Sequence, residues 1–161
     1  MAYTPELKEK LLKLLLTLNF DQQYYQFYES LRPSIGKALP NESRSLQERL
    51  LNEAGLQVKY DGRENFFAHR EATTMGQLGL NAIFRNSEAE FVLAIDLAEG
   101  SMGGTFHGLA REVALRRDPA FNYQPRYPRL PYASEAELQR VIQFAVDRLR
   151  QVEAALLTTA T

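Results

Sequence analysis

Two histidines, one out-of-place acid and a glycine-rich run are the residues of this chain whose types could do chemistry. His69, in FFAHREA, and His107, in TFHGLA, are the side chains that ordinarily exchange a proton near neutral pH. They are therefore the natural acid–base groups. Asp96 stands in FVLAIDLAE, an otherwise apolar stretch, and a carboxylate taken out of water needs a partner. If His69, Asp96 and His107 met, they would suit a divalent cation or general acid–base work. No tight spacing such as HExxH ties them together, so neither a metal site nor a catalytic set is assigned. Alone, Asp96 reads as a strand-end acid that caps the next turn or pairs with an arginine.

The run EGSMGGTFHGLAR follows directly. A strand, a glycine-rich turn and a helix can hold an anion on backbone amides and the helix N-terminus. The ligand-binding candidates are Asp96, Gly100, Ser101, Gly103, Gly104, Thr105, His107 and Arg111. The run is not a P-loop, because it lacks the GxxxxGK[ST] register and its lysine, and Glu99 would repel a phosphate. Ser101 lacks the preceding glycine of a GxSxG elbow, which argues against a serine nucleophile. The plainer reading is a strand-to-helix loop over 98–105, with Thr105 capping the helix.

A second group lies in RRDPAFNYQPRYPRLPYAS. Tyr123, Arg126, Tyr127 and Arg129 are partner-binding candidates, since tyrosine and arginine are enriched at protein interfaces. Pro125, Pro128 and Pro131 also set two PxxP spacings that suit a polyproline ligand. The plainer reading is a strap that packs its aromatics across the sheet.

The elements that must position these residues follow from periodicity. Leu7, Leu11, Leu14 and Leu18, then Tyr24, Phe27, Tyr28 and Leu31, recur at helical spacing, so 5–31 is helical with an interruption at Asn19–Asp21. Phe27 and Tyr28 read as core; Tyr24 and Tyr25 read as lining a groove or a dimer contact. Ser45 and Glu48 form a capping box for a helix over 45–55, and Gly55 suits its left-handed C′ position. The period then drops to 2, and antiparallel strands are predicted over 56–97. Phe91, Leu93, Ile95 and Leu97 alternate with Val92 and Ala94, so that strand is expected to be central and covered on both faces. A short helix over 106–116, a connector over 117–133 and a long helix over 134–157, boxed by Ser134 and Glu137, complete the chain. This order predicts one α+β domain over 1–161, with a single antiparallel sheet of about four strands and the last helix packed on it.

Bulk properties narrow the function. The 161 residues are 45% apolar and 24% charged, enough for one ordinary core. A net charge of −1 argues against nucleic acid as a partner. The chain has no cysteine, hence no disulfide or thiolate chemistry. Lys8, Lys10 and Lys13 break up the apolar N-terminal run, so no membrane span or leader is expected and the predicted location is cytoplasmic. Size, charge and element order are shared with small bacterial partner binders such as immunity proteins and secretion chaperones, an analogy of layout only. The expected function is a non-enzymatic protein-binding or self-associating module without cofactor. The alternative is a small-molecule or anion-binding protein, or an enzyme, with its site at the glycine run near Asp96 and His107.

Overall fold

The computed structural model describes residues 3–159. The helical N-terminal third is two helices, α1 (Pro5–Thr17) and α2 (Phe20–Leu31). Thr4 caps α1 by accepting from the Leu7 amide. The break between them is Asn19, at φ 55°, a conformation that asparagine tolerates better than most residues. Tyr24 and Tyr25 do not line a groove: they are 1% and 8% exposed, because α2 lies inside a layer of helices.

Helix α3 (Arg44–Glu53) starts one residue before the predicted boundary. Ser43, not Ser45, accepts from the Leu46 amide and caps it. Two serines two residues apart offer the same acceptor, and the earlier one lengthens the helix. Its end is as predicted: Gly55 has φ +99°, its amide reaches Asn52, and the Leu56 amide reaches Leu51. That is the hydrogen-bond pair of a Schellman motif.

Five antiparallel strands follow in sequence order: β1 (Val58–Asp61), β2 (Phe66–Thr73), β3 (Gly76–Arg85), β4 (Glu88–Leu97) and β5 (Gly100–Thr105). The β3–β4 turn is Asn86-Ser87, both at positive φ, as a tight hairpin whose twist matches its strands requires. After α4 (Phe106–Arg117), the two-residue β6 (Leu130–Pro131) pairs with Ala89 and Glu88 of β4. The long α5 (Glu135–Thr159) closes the chain. Ser134 accepts from the Glu137 amide at its start.

Three expectations are refined or corrected here. The single antiparallel sheet is of the expected kind, with six strands, the sixth only two residues long, against about four expected. The segment 98–105 is not a loop, because Gly100–Thr105 forms β5, paired residue by residue with 92–97. The most apolar strand needs main-chain partners on both edges, and these glycines supply one of them. Gly100 and Gly104 sit at φ +142° and +154°, and a Cβ on Gly103 would lie 2.1 Å from the Leu93 carbonyl oxygen. Gly104 also leaves room for Leu109 of α4 directly above it.

Third, β4 is central but covered on one face only. Its burial alternates, with Ala89, Phe91, Leu93, Ile95 and Leu97 buried and Glu88, Glu90, Val92, Ala94 and Asp96 half-buried. The helices meet the buried face: Phe106 packs on Phe91, and Tyr132, just beyond β6, packs on Phe84. Leu156 of α5 shares a small cavity of about 10 Å³ with Leu78, Ile95 and Leu97. The register puts Ala68, Asn81, Val92 and Thr105 in one row of the opposite face. Arg70, Gly79, Ala94 and Gly103 make the next row, with the Arg70 side chain laid over Gly79.

Candidate functional site

The predicted residues fall into three places. On the covered face of β2, His69 is 4% exposed. Its Nδ1 accepts from the Gln57 amide at 3.0 Å, and its Nε2 lies 3.7 Å from Glu71 Oε1. Glu71 in turn takes Arg150 of α5. On the opposite face Asp96 accepts from the Ser101 hydroxyl at 2.5 Å, across the β4–β5 pair. It therefore neither caps a turn nor pairs with an arginine. His107 is in the first turn of α4, just past the other end of β5. The three do not converge. Among the described residues no group of three or more His, Asp or Glu side chains is placed to hold a metal ion.

Thr105 caps α4, accepting from the Gly108 amide at 3.1 Å. Gly100, Ser101, Gly103 and Gly104 are ladder residues of β5. The sequence-predicted ligand residues are thus split along the strand.

The end of β5 gathers residues from both predicted groups. His107 Nε2 is 2.9 Å from Glu90 Oε1, and Arg129 Nε is 3.5 Å from Glu90 Oε2. The Tyr127 ring stands edge-on to His107 at 5.7 Å, and Arg126 lies 5.5 Å over the Tyr127 ring. Glu90 occupies the short gap on β4 between the stretch paired with β5 and the stretch paired with β6. It is the central residue that sequence reasoning missed. Its partners sit 17 and 39 residues downstream, and nothing short of the strand register brings them together.

Thr105, His107 and Glu90 stand in the order of a nucleophile, a base and an orienting acid. Thr105 Oγ1 is nevertheless 3.5 Å from His107 Nδ1, and the same oxygen already holds the Gly108 amide. A long contact to a committed cap does not activate a hydroxyl. The group is a brace that ties the connector to the sheet.

The connector is mostly the strap of the plainer reading. Tyr123 packs on Tyr25 at 4.4 Å, donates to Glu29 and accepts from Arg32. Burial and the bond to Glu29 raise the Tyr123 hydroxyl above its ordinary pKa. Tyr132 is fully buried and donates to Glu42. Tyr24 donates to the Pro128 carbonyl at 2.6 Å. Tyr127, in contrast, is 53% exposed, and Arg126 and Arg129 are exposed beside it.

Arg111 lines an open depression of about 350 Å³ with Lys8, Gly104, Thr105, Gly108 and Tyr127. Glu112, also in its wall, is held by Lys8 at 3.0 Å. Among the described residues no helix is long and apolar enough to cross a membrane. No family model, no curated protein and no solved structure matches this chain.

Proposed function

We propose that this chain is a non-enzymatic protein-binding module that takes a protein partner on the uncovered face of its sheet. One observation carries the reading. The alternation along β2, β3 and β4 leaves Phe66, Ala68, Ile83, Val92 and Ala94 half-buried on the face opposite the helices. Strands about 4.8 Å apart and a shared length near 27 Å give these three strands roughly 400 Å², and the shorter β1 and β5 widen the face. Specific interfaces bury about 800 Å² per partner, and exposed Arg126, Tyr127 and Arg129 extend the surface at its margin. Tyr123 is left out of this surface, because its ring and hydroxyl are used internally.

The test pairs light scattering after size exclusion with a quantified pull-down. Val92→Arg, and separately Arg126→Ala/Tyr127→Ala, are expected to abolish recovery of the partner or of the self-associated form, with near-UV circular dichroism unchanged. Equal mass and equal recovery for wild type and both variants would remove the reading.

A second reading has its own observation. Four of the predicted ligand residues, Gly104, Thr105, His107 and Arg111, lie at or beside the 350 Å³ depression. It is of a size that takes small molecules. A thermal-shift screen with phosphorylated metabolites tests it: a true ligand at a hundredfold excess over Kd adds about 2.7 kcal/mol.

A further inference from the structure

Away from the sheet, α2 and α5 pack through a stack of rings and guanidinium groups. Phe27 and Phe144 lie parallel at 4.3 Å. Arg140 sits 5.5 Å over Phe27, and Arg148 sits 4.6 Å over Phe144. The groove beside this stack has a volume of about 300 Å³ and is lined by Gln23, Gln26, Phe27, Ser30, Phe144 and Arg148.

Two of the side chains that line this groove carry an orphaned polar atom. Arg148 Nε and Gln23 Oε1 are both buried and both without a hydrogen-bond partner. Among the described residues no hydrogen bond or ion pair holds the Arg148 guanidinium. The nearest acid in sequence, Asp147, instead accepts from Gln143. A half-buried guanidinium without an acceptor is uncommon, because desolvating a donor without replacing its bond is costly. Burial accordingly lowers the Arg148 pKa, against the pull of Asp147.

We propose that this groove binds a carboxylate-bearing ligand, with Arg148 as the cation that receives it. Arg148 rests on the Phe144 ring in the groove wall, and its two terminal N–H groups, which hold no partner among the described residues, are a pair of donors side by side on one edge of a planar group. A carboxylate is the planar acceptor that fits such an edge in two bonds. The Gln23 amide lines the same groove, and its NH2 group is a further donor for the carboxylate. The Phe27–Phe144 stack provides an apolar bed for the body of the ligand. This site is independent of the sheet face.

The probe is 3-phenylpropanoate, with 3-phenylpropanamide as its neutral isostere and inorganic phosphate as the tetrahedral anion. Titrations follow the Arg148 Nε–H and Gln23 NH2 resonances at constant ionic strength. The carboxylate is expected to shift both saturably, with the amide and phosphate at least tenfold weaker. Arg148→Gln is expected to raise Kd at least tenfold, while Arg49→Gln on α3 leaves it within twofold. If Arg148→Gln does not fold, Gln23→Leu serves, with an expected loss of at least threefold. Equal binding of the amide, tighter binding of phosphate, or an unchanged Kd in these variants would overturn the proposal.

Discussion

The two faces of β4 come from one alternating stretch, yet the fold treats them differently. Phe91, Leu93, Ile95 and Leu97 are at most 3% exposed beneath the helices. Val92, Ala94 and Asp96, one residue out of phase, are only half-buried. The covered face carries large side chains and glycines that let α4 approach. On β4 the open face carries the smaller Val92 and Ala94, and beside them Gly79 lies under the Arg70 side chain that reaches Asn81. An apolar strand on both sides therefore reports that it is central in its sheet. It does not report that both sides are covered, because small apolar residues sit comfortably at a half-wet surface.

The largest effect that would break this contrast is a truncation on each face. Leu93→Ala removes a buried side chain and is expected to cost about 3 kcal/mol, within the range for large-to-small core changes. Val92→Ala, one residue away, is expected to cost under about 1 kcal/mol. Urea unfolding of both variants measures the difference, and equal losses would mean that the second face is covered after all. Next comes Gly103→Ala. Its new Cβ would strike the Leu93 carbonyl oxygen, so the strand must shift, with an expected loss of about 2 kcal/mol. An unchanged midpoint would mean that β5 can stand off from β4 without consequence.

How much of this was legible in the sequence depends on which signal each element carries. The β3–β4 hairpin could be read because Leu78, Leu80 and Ala82 alternate into Phe91, Leu93 and Ile95 across a short polar turn. Helix α5 could be read because its apolar stripe is long and its cap is boxed. β5 could not, since GSMGGT has no period-2 hydrophobicity, and glycines in a strand look like glycines in a loop. The Asp96–Ser101 pair and the Glu90 brace depend on register, which periodicity does not supply at that range. Arg148 stands among polar residues of a helix, where nothing in the pattern tells a solvated arginine from one laid on a phenyl ring. Tyr24 and Tyr25 differ from expectation for a related reason: with rings on several faces of α2, periodicity does not tell which face is covered, and it is Tyr24 and Tyr25 that are buried while Phe27 is left half-buried.

A smaller effect sharpens the contrast between polar groups on the two sides. Asp96→Ala on the open face leaves the Ser101 hydroxyl without its acceptor, and Ser101 is 4% exposed. Tyr24→Phe on the covered side removes the bond to the Pro128 carbonyl, likewise buried. A net hydrogen bond is worth about 1 kcal/mol, and both variants are expected to lose about that much. Water reaches Ser101 more readily once Asp96 is cut back, so the Asp96 loss is expected to be the lesser of the two. Thermal unfolding of the pair decides the order, and a larger loss for Asp96→Ala would assign the open face a structural load it is not expected to bear.

The smallest effect at neutral pH is expected from Tyr25→Phe, and it becomes visible only in alkali. Unlike that of Tyr24, the Tyr25 hydroxyl is buried without a partner. Removing it gives up no bond and relieves a desolvated donor, so stability at pH 7 is expected to stay the same or rise slightly. Burial pushes the Tyr25 hydroxyl up to about 12, opposed by Arg111 and reinforced by Asp21 and Tyr123. In the unfolded chain a tyrosine loses its proton near pH 10. Between these values the folded state holds a proton that the unfolded state has released, so stability must fall as pH rises from about 10 to about 12. Tyr25→Phe removes one such group, while Tyr24 and Tyr132, both raised by burial, remain. The slope of stability against pH in that window is therefore expected to become shallower without vanishing. Urea midpoints at pH 7, 10 and 11 for the two proteins measure it. Parallel slopes would mean that the Tyr25 hydroxyl reaches water in the folded state, and that the helical layer is looser over α2 than its packing implies.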